Sequence, residues 1–420
     1  MSQFIFEDYS YNPESRRAEF NYSYDGLRTF QESYIFDVVN QEYDSDALER
    51  VMRLAFLLIG TSYHKTFVSR DVSIKPFTID EWQAAFLNHV YQEGMSQFAY
   101  ENDLTRNDLA HFSAAGESLM AQTYSGDGII SLQSGGKDSI LTAKSLQEHG
   151  KEFISMYVSS TESHPAVIDA LGSPLALVHR TIDRGALMKA NEEGGKSGHV
   201  PITFIITAVA LIQAVLTNKN TILTSIGHEG EEAHHIIGDL EVTHQWSKTW
   251  SAEQLMAEYV DRYISQDIQV GSALRKYSEL RIAELFADKA WNEFGHDFSS
   301  CNRINYQQGV DNTTLKWCGE CPKCANSYLL FAPFINPNDL KSLFNGQDLF
   351  EKPLLEETFK GLLGIDGFSK PFECIGEIDE LRLAYHRKLS GYGSVSFEVP
   401  ESQFDYLYEY PLQAWATELA

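Results

Sequence analysis

Polar and aromatic positions alternate through the first 45 residues, in the runs FIFEDYSYNP, AEFNYSY and FQESYIFDVV. A period of two is the mark of strands with one face buried, and the breaks at Asn12-Pro13 and Asp25-Gly26 divide the run into an antiparallel meander. Helical spacing takes over next. Asp46, with Glu49 three residues on, predicts the cap of a helix over 48–59, and residues 80–100 predict another carrying Trp82, Phe86, Val90 and Phe98. Nothing in this segment requires more chemistry than a packed α+β domain.

From 125 to about 330 the pattern changes to alternating strands and helices. Strands are expected at 129–132, 152–158 and 221–226, with a buried helix over 200–216 and a further helical stretch over 273–287. This order predicts a parallel sheet with helices on both faces, whose ligands gather beyond the carboxyl ends of the strands. The apolar run 200–216 is interrupted by Thr203, Thr207 and Gln213 and is shorter than the ~20 residues of a membrane span, so no span is expected. After Pro337 the pattern becomes helical. The expected organisation is a β-rich α+β domain over 1–124, a doubly wound α/β domain over 125–335 and a helical region over 336–420.

The strand at 129–132 runs into Ser134-Gly135-Gly136-Lys137-Asp138-Ser139, and a helix follows at once, with Ile140, Leu141, Ala143 and Leu146 on one side and Gly150 as its stop. Strand, glycine turn and helix together aim backbone N–H groups and the positive helix end at an anion. The two glycines let the backbone approach a phosphate closely. Lys137 and Ser139 add donors, whereas Asp138 suits a Mg²⁺ ion. The turn is not a G-x-x-x-x-G-K-[ST] loop, because Ser131 stands where the first glycine should be. Residues 190–197, ANEEGGKS, miss the same pattern and have no strand before them.

Composition narrows the partners. The chain has 420 residues and a formal charge of −26, which argues against a nucleic-acid partner, since such binders need a basic stripe to displace counterions. The first residues show no basic segment followed by an apolar core, so a cytoplasmic location is expected. Four of the five cysteines cluster as C-x16-C-x2-C-x2-C, at Cys301, Cys318, Cys321 and Cys324. Four thiolates at this spacing can close a tetrahedron around Zn²⁺, and a full set leaves no open position, which makes the site structural.

Three further groups of residues carry open alternatives. The stretch 227–235, GHEGEEAHH, leaves an expected strand at its ligand-binding end, where His228 or Glu229 could serve substrate or Mg²⁺; a solvated acidic turn explains it equally. Arg275, Lys276 and Arg281 are basic residues in an acidic chain, placed either to neutralise phosphates or simply on a solvated helix face. The fifth cysteine, Cys374, sits in KPFECIGE between Glu373 and Gly376-Glu377, with Lys370 upstream, and is either chemically active or a buried inert thiol.

SGGKDS resembles the pyrophosphate loop of the PP-loop ATP pyrophosphatases (pattern SGGxDS). The cysteine cluster resembles the zinc element of deazaguanine synthases. Taken with the aromatic N-terminal meander and KPFECIGE, these features resemble the UDP-N-acetylmuramoyl-L-alanyl-L-glutamate epimerase family over most of the chain. The resemblance implies a PP-loop α/β fold, with ATP and Mg²⁺ held at residues 134–139 and release of AMP and pyrophosphate. It also implies inversion of the terminal L-glutamate of UDP-MurNAc-L-Ala-L-Glu in peptidoglycan precursor synthesis, coupled functionally to a ligase that adds L-glutamate.

The chemistry is coherent. Adenylylating the α-carboxylate removes its charge and acidifies the α-proton, which a positioned base can then remove. Cyclisation of the N-acylated adenylate to an oxazolone would acidify it further. Cys374, Glu373, Glu377 and His228 are the acid/base candidates, and Arg275, Lys276 and Lys370 the substrate-binding candidates. Two alternatives stand beside this: a PP-loop ligase or amidase related to 7-cyano-7-deazaguanine synthase acting on a small carboxylate, and a nucleotide-binding regulator without turnover.

Overall fold

The computed structural model describes residues 3–306 and 311–420. The expected meander forms from β1 (Phe4–Asn12), β2 (Arg17–Tyr24) and β3 (Arg28–Phe36), paired antiparallel in that order. Its inward positions, Phe4, Phe6, Phe20, Tyr22 and Tyr34, are fully buried. They pack on the helix Ser45–Ile59, where Phe56 stacks on Tyr22 at 5.3 Å. The cap of that helix lies two residues before the expected one: Asp44 accepts from the backbone N–H groups of Asp46 and Ala47, because an Asx cap forms where the chain leaves extended geometry. A short strand, β4 (Val72–Ile74), adds parallel to β1.

The expected helix over 80–100 is broken. Asp80 and Gln83 close a capping box at the start of the helix Glu81–Gln92, a 3₁₀ turn covers Glu93–Met95, and a short helix resumes at Ser96–Glu101. The break falls at Gly94, which has little backbone preference for continuing a helix.

The alternating region supplies β5 (Ile129–Leu132), β6 (Phe153–Ser159), β7 (Leu175–Ile182) and β8 (Thr221–Thr224). A small hairpin follows, β9 (His235–Ile237) with β10 (Leu240–Val242), and then β11 (Gln269–Ser272). Strands β11, β8, β5, β6 and β7 run parallel in that spatial order. Strand β3 pairs antiparallel with β7, so the meander and the parallel strands form one nine-stranded sheet, mixed but dominated by parallel pairs. The helix Ile202–Leu216, almost wholly buried, packs beneath it against Ser45–Ile59.

Two expectations change here. The stretch 273–287 is not one helix: Ser278 caps Glu279–Lys289, accepting from Arg281 N–H, and Arg275 and Lys276 precede the cap in a turn. The region after Pro337 holds short helices as far as Ile378–His386 and then irregular chain up to a 3₁₀ helix at Ala414–Leu419, so it is helical mainly in its first half. Among the described residues no helix is long and apolar enough to cross a membrane.

Candidate active site

Strand β5 is where the order of the parallel strands reverses, with β6 and β7 on one side and β8 and β11 on the other. A cleft of about 490 Å³ opens at this point, beyond the carboxyl ends of β5, β6 and β8. Its rim is the 134–139 turn. Gly135 takes φ +76°, and a Cβ there would lie 2.6 Å from Leu315 Cδ1, so the turn requires glycine on two counts. Gly136 is the N-cap of the helix Lys137–Glu148, and no side chain caps that end. The donors of its first turn are therefore free to meet an anion. Ser134 N–H donates to Ser139 Oγ, Ser139 Oγ donates to Gly136 O, and Tyr306 OH donates to Ser134 O, which together hold the turn in shape. Ile202 and Ile206 line an apolar side of the cleft opposite Ser159 and Thr161.

Lys137 does not reach into the cleft. Its ammonium is buried between Asp138 (2.5 Å) and Glu279 (2.6 Å). Burial opposes the charge, but the two carboxylates outweigh it and hold Lys137 above its ordinary value. Glu229 adds a third carboxylate, itself buried and paired with Lys248 at 3.1 Å. Burial works against Glu229 as an anion, yet Lys248, Lys323 and Lys137 hold it below its ordinary value. The surplus negative charge falls on Glu279, raised to about 7 by burial and by Asp138 and Glu229. Asp138 faces the cleft and has the oxygen donors a Mg²⁺ ion requires.

Cys374 lines the same cleft from the C-terminal part of the chain. Burial pushes its thiol up, against the opposing pull of Lys248 and Lys323, and so favours the neutral form. Lys323 Nζ donates to Cys374 O, which anchors the 370–377 string to the cysteine cluster. Glu373 is likewise raised by burial; it accepts from Asn302, a cleft residue, at 3.1 Å.

The remaining candidates lie elsewhere. His228 stacks on Tyr410 with ring centroids 3.4 Å apart and pairs with Glu377 at 3.4 Å, and Glu377 caps the helix Ile378–His386. Arg275 is fully buried, donating to Glu253 and to the carbonyls of Gly227 and Lys248. Lys276 lies 3.8 Å from Glu409, and Lys370 pairs with Glu232. Among the described residues none of these five candidates lines the cleft.

The sequence offered no sign of Lys248, in HQWSKTW, or of Glu279 as a partner of the turn. Lys323 had a signal, since it stands inside the C-x2-C pair of Cys321 and Cys324.

The four clustered cysteines converge with every sulfur within 4.8 Å of the others. Cys301 to Cys321 is 3.6 Å, Cys318 to Cys324 3.7 Å and Cys321 to Cys324 3.5 Å. Tetrahedral Zn–S bonds of about 2.3 Å place sulfurs about 3.8 Å apart, so the donor set fits Zn²⁺ in number, chemistry and spacing.

Two family models match the chain: the MurL N-terminal domain over residues 1–272 and the MurL C-terminal domain over 297–391. The chain is similar to the UDP-N-acetyl-alpha-D-muramoyl-L-alanyl-L-glutamate epimerase of Xanthomonas oryzae pv. oryzae (strain MAFF 311018), with 31% identity over 343 residues, 81% of this chain and 75% of that one. The enzyme of the same name from Micromonospora sp. (strain ATCC 39149 / NRRL 15099 / SCC 1413) is 32% identical over 391 residues, covering 90% and 85%. Its counterpart in Salinispora tropica (strain ATCC BAA-916 / DSM 44818 / JCM 13857 / NBRC 105044 / CNB-440) is 30% identical over 391 residues, covering 90% and 83%.

Proposed function

Because the chain belongs to the MurL family of UDP-N-acetyl-alpha-D-muramoyl-L-alanyl-L-glutamate epimerases, we propose that it inverts the terminal L-glutamate of UDP-MurNAc-L-Ala-L-Glu at the expense of ATP. The observation that carries this is the convergence of the 134–139 turn and Cys374 on one cleft. An anion-binding turn and a proton-transfer group are what an activated-carboxylate epimerisation needs side by side.

In this reading the turn is a PP-loop. The open N-terminus of Lys137–Glu148 and the hydroxyls of Ser134 and Ser139 would hold the departing phosphates, with Asp138 binding Mg²⁺. The glutamate α-carboxylate attacks the α-phosphorus of ATP, forming the acyl-adenylate and releasing pyrophosphate. Loss of the carboxylate charge makes the α-proton removable. One group takes that proton, and a second returns a proton to the opposite face. Water then cleaves the adenylate to D-glutamate carboxylate and AMP.

Cys374 is the proposed donor, since burial keeps its thiol protonated, and Glu373 is the proposed partner. Lys248 would stabilise negative charge in their neighbourhood. Zn²⁺ at the four cysteines would supply no chemistry to the reaction; those residues would fix Lys323 and, through it, Cys374.

Incubation in D₂O with UDP-MurNAc-L-Ala-L-Glu tests the reading. One deuterium should enter the glutamate α-carbon, and only with ATP and Mg²⁺ present, while free L-glutamate stays inert. ATP consumption with the α-proton left in place would instead support a ligase reaction.

A further inference from the structure

The stretch 190–197, which misses the phosphate-loop pattern, leads into a second cavity. Residues 198–200 wall a space of about 340 Å³ that shares Ile202 and Gln245 with the cleft. The cavity therefore adjoins the site of the proposed reaction across these two residues. Its lining carries Lys65, Arg180 and His199 and, among the described residues, no carboxylate. In a chain of charge −26 that is a local reversal of sign.

The cations are built in. Arg180 Nε donates to Glu32 Oε1 at 2.7 Å, and Glu32 is fully buried at the junction of β3 with β7. Tyr34 OH, which donates to the same Glu32 oxygen, also lies against this guanidinium. Among the described residues Lys65 Nζ makes one hydrogen bond, to Gly198 O at 3.0 Å, and burial together with Arg180 holds it below its ordinary value.

Two neutral groups are left unsatisfied. His199 Nε2 and Gln245 Oε1 are buried without hydrogen-bond partners, and Gln245 adopts a left-handed backbone, φ 58°. Buried polar atoms are nearly always paired. The Nε2 position of His199 can carry an N–H donor, and beside two cations such a donor suits an oxygen-rich anion, while the guanidinium fork suits one with several oxygens; Gln245 Oε1 is an acceptor and calls instead for a hydroxyl or N–H of the same ligand. Strained backbone at a non-glycine residue is also typical of binding positions. The cavity falls within the size range of small-molecule pockets, about 300–1,000 Å³, so it has room for more than a lone carboxylate.

We propose that this cavity binds the diphosphate of the substrate's nucleotide-sugar arm, with Lys65 and Arg180 on its oxygens and the peptide passing Gln245 into the cleft. The assignment rests on the function proposed above. It places the nucleotide on one side of Ile202 and the reacting glutamate on the other.

Lys65→Met keeps the apolar stem and removes the charge without orphaning a carboxylate, whereas Lys65→Arg keeps the charge. Calorimetric titration of UDP-MurNAc-L-Ala-L-Glu without ATP should show Kd raised about 10- to 100-fold in K65M, the range of a lost charge-assisted hydrogen bond, and near wild type in K65R. Arg180→Lys, which retains the pair with Glu32, should weaken binding to a smaller degree. Deuterium exchange into N-acetyl-L-alanyl-L-glutamate, which has no nucleotide, should be equally slow in K65M and wild type. An unchanged Kd in K65M overturns the proposal, as does an equal loss of exchange on the nucleotide-free dipeptide, which would put the glutamate γ-carboxylate in the cavity. Wild-type enzyme that binds substrate but never exchanges its α-proton would overturn the epimerase reading instead.

Discussion

Lys137 and Glu279 stand 142 positions apart in sequence and meet at 2.6 Å, both buried. The contact ties the first turn of Lys137–Glu148 to the first turn of Glu279–Lys289, and it withdraws the lysine of the glycine turn from the cleft. A phosphate bound at this turn, as proposed, would meet backbone N–H groups and hydroxyls. The arrangement has a cost: it gathers more carboxylates than cations in a dry place, and the pH response of the fold follows from that.

Burial raises Glu380 to about 8, and burial with Asp138 and Glu229 raises Glu279 to about 7, both from an ordinary 4.5. The folded state thus binds these protons more tightly than the unfolded chain. Their stabilisation is complete below pH 4.5 and is lost as pH rises through 7 to 8. Four histidines, His64 buried and the others half-buried, act in the opposite sense. Burial lowers His64, His199 and His234 to about 4 and His244 to about 2, so their contribution is present above 6.5 and is lost in acid. Stability should therefore peak near pH 6.5. The urea midpoint should fall from pH 6.5 to 8.5, and less steeply in Glu380→Gln. An equal slope in that variant would remove Glu380 from the account.

Asp138→Asn should abolish substrate-dependent pyrophosphate release, because it removes an anionic oxygen suited to Mg²⁺. Lys137 keeps Glu279 as counterion in this variant, so the fold should survive with Tm lowered by no more than about 4 °C. Formation of ADP and phosphate by the wild-type enzyme would contradict the assigned bond cleavage.

Cys374→Ser should still release pyrophosphate and lose most α-proton exchange, by about 10²- to 10⁴-fold, the usual worth of a positioned acid or base. Lys248→Met removes charge from the cleft and leaves Glu229 buried and unpaired, so it should slow pyrophosphate release and exchange together. Undiminished exchange in C374S would transfer the role to Glu373.

Purified protein should contain about one Zn²⁺ per chain, measured by metal analysis. Cys321→Ser, or chelation, should release it and disorder the segment around 301–324. Because Lys323 Nζ bonds to Cys374 O, the same change should reduce α-proton exchange even where ATP still binds. Retained zinc in C321S would mean that the four cysteines are not its ligands.

Short-range order was legible from sequence wherever one local pattern determined the outcome. Period-two alternation marked β1 to β3, and a glycine turn between an apolar strand and a helix marked the rim of the cleft. Four spaced cysteines marked a cluster able to hold a metal ion, because ligand identity and spacing are carried by the chain itself. What the sequence could not determine was which distant groups desolvate one another. Arg275 reads as a phosphate ligand in a list of basic residues, yet it is wholly buried and donates to Glu253 and two carbonyls. His228 and Glu377 lie among chemically suggestive neighbours but pair away from the cleft. Lys248, which has no motif around it, reaches the centre, and β3 joins β7 across the chain to bring Glu32 to Arg180. Charge pairing and burial act through space, and a single sequence does not record which residues tertiary packing brings within 3 Å of one another.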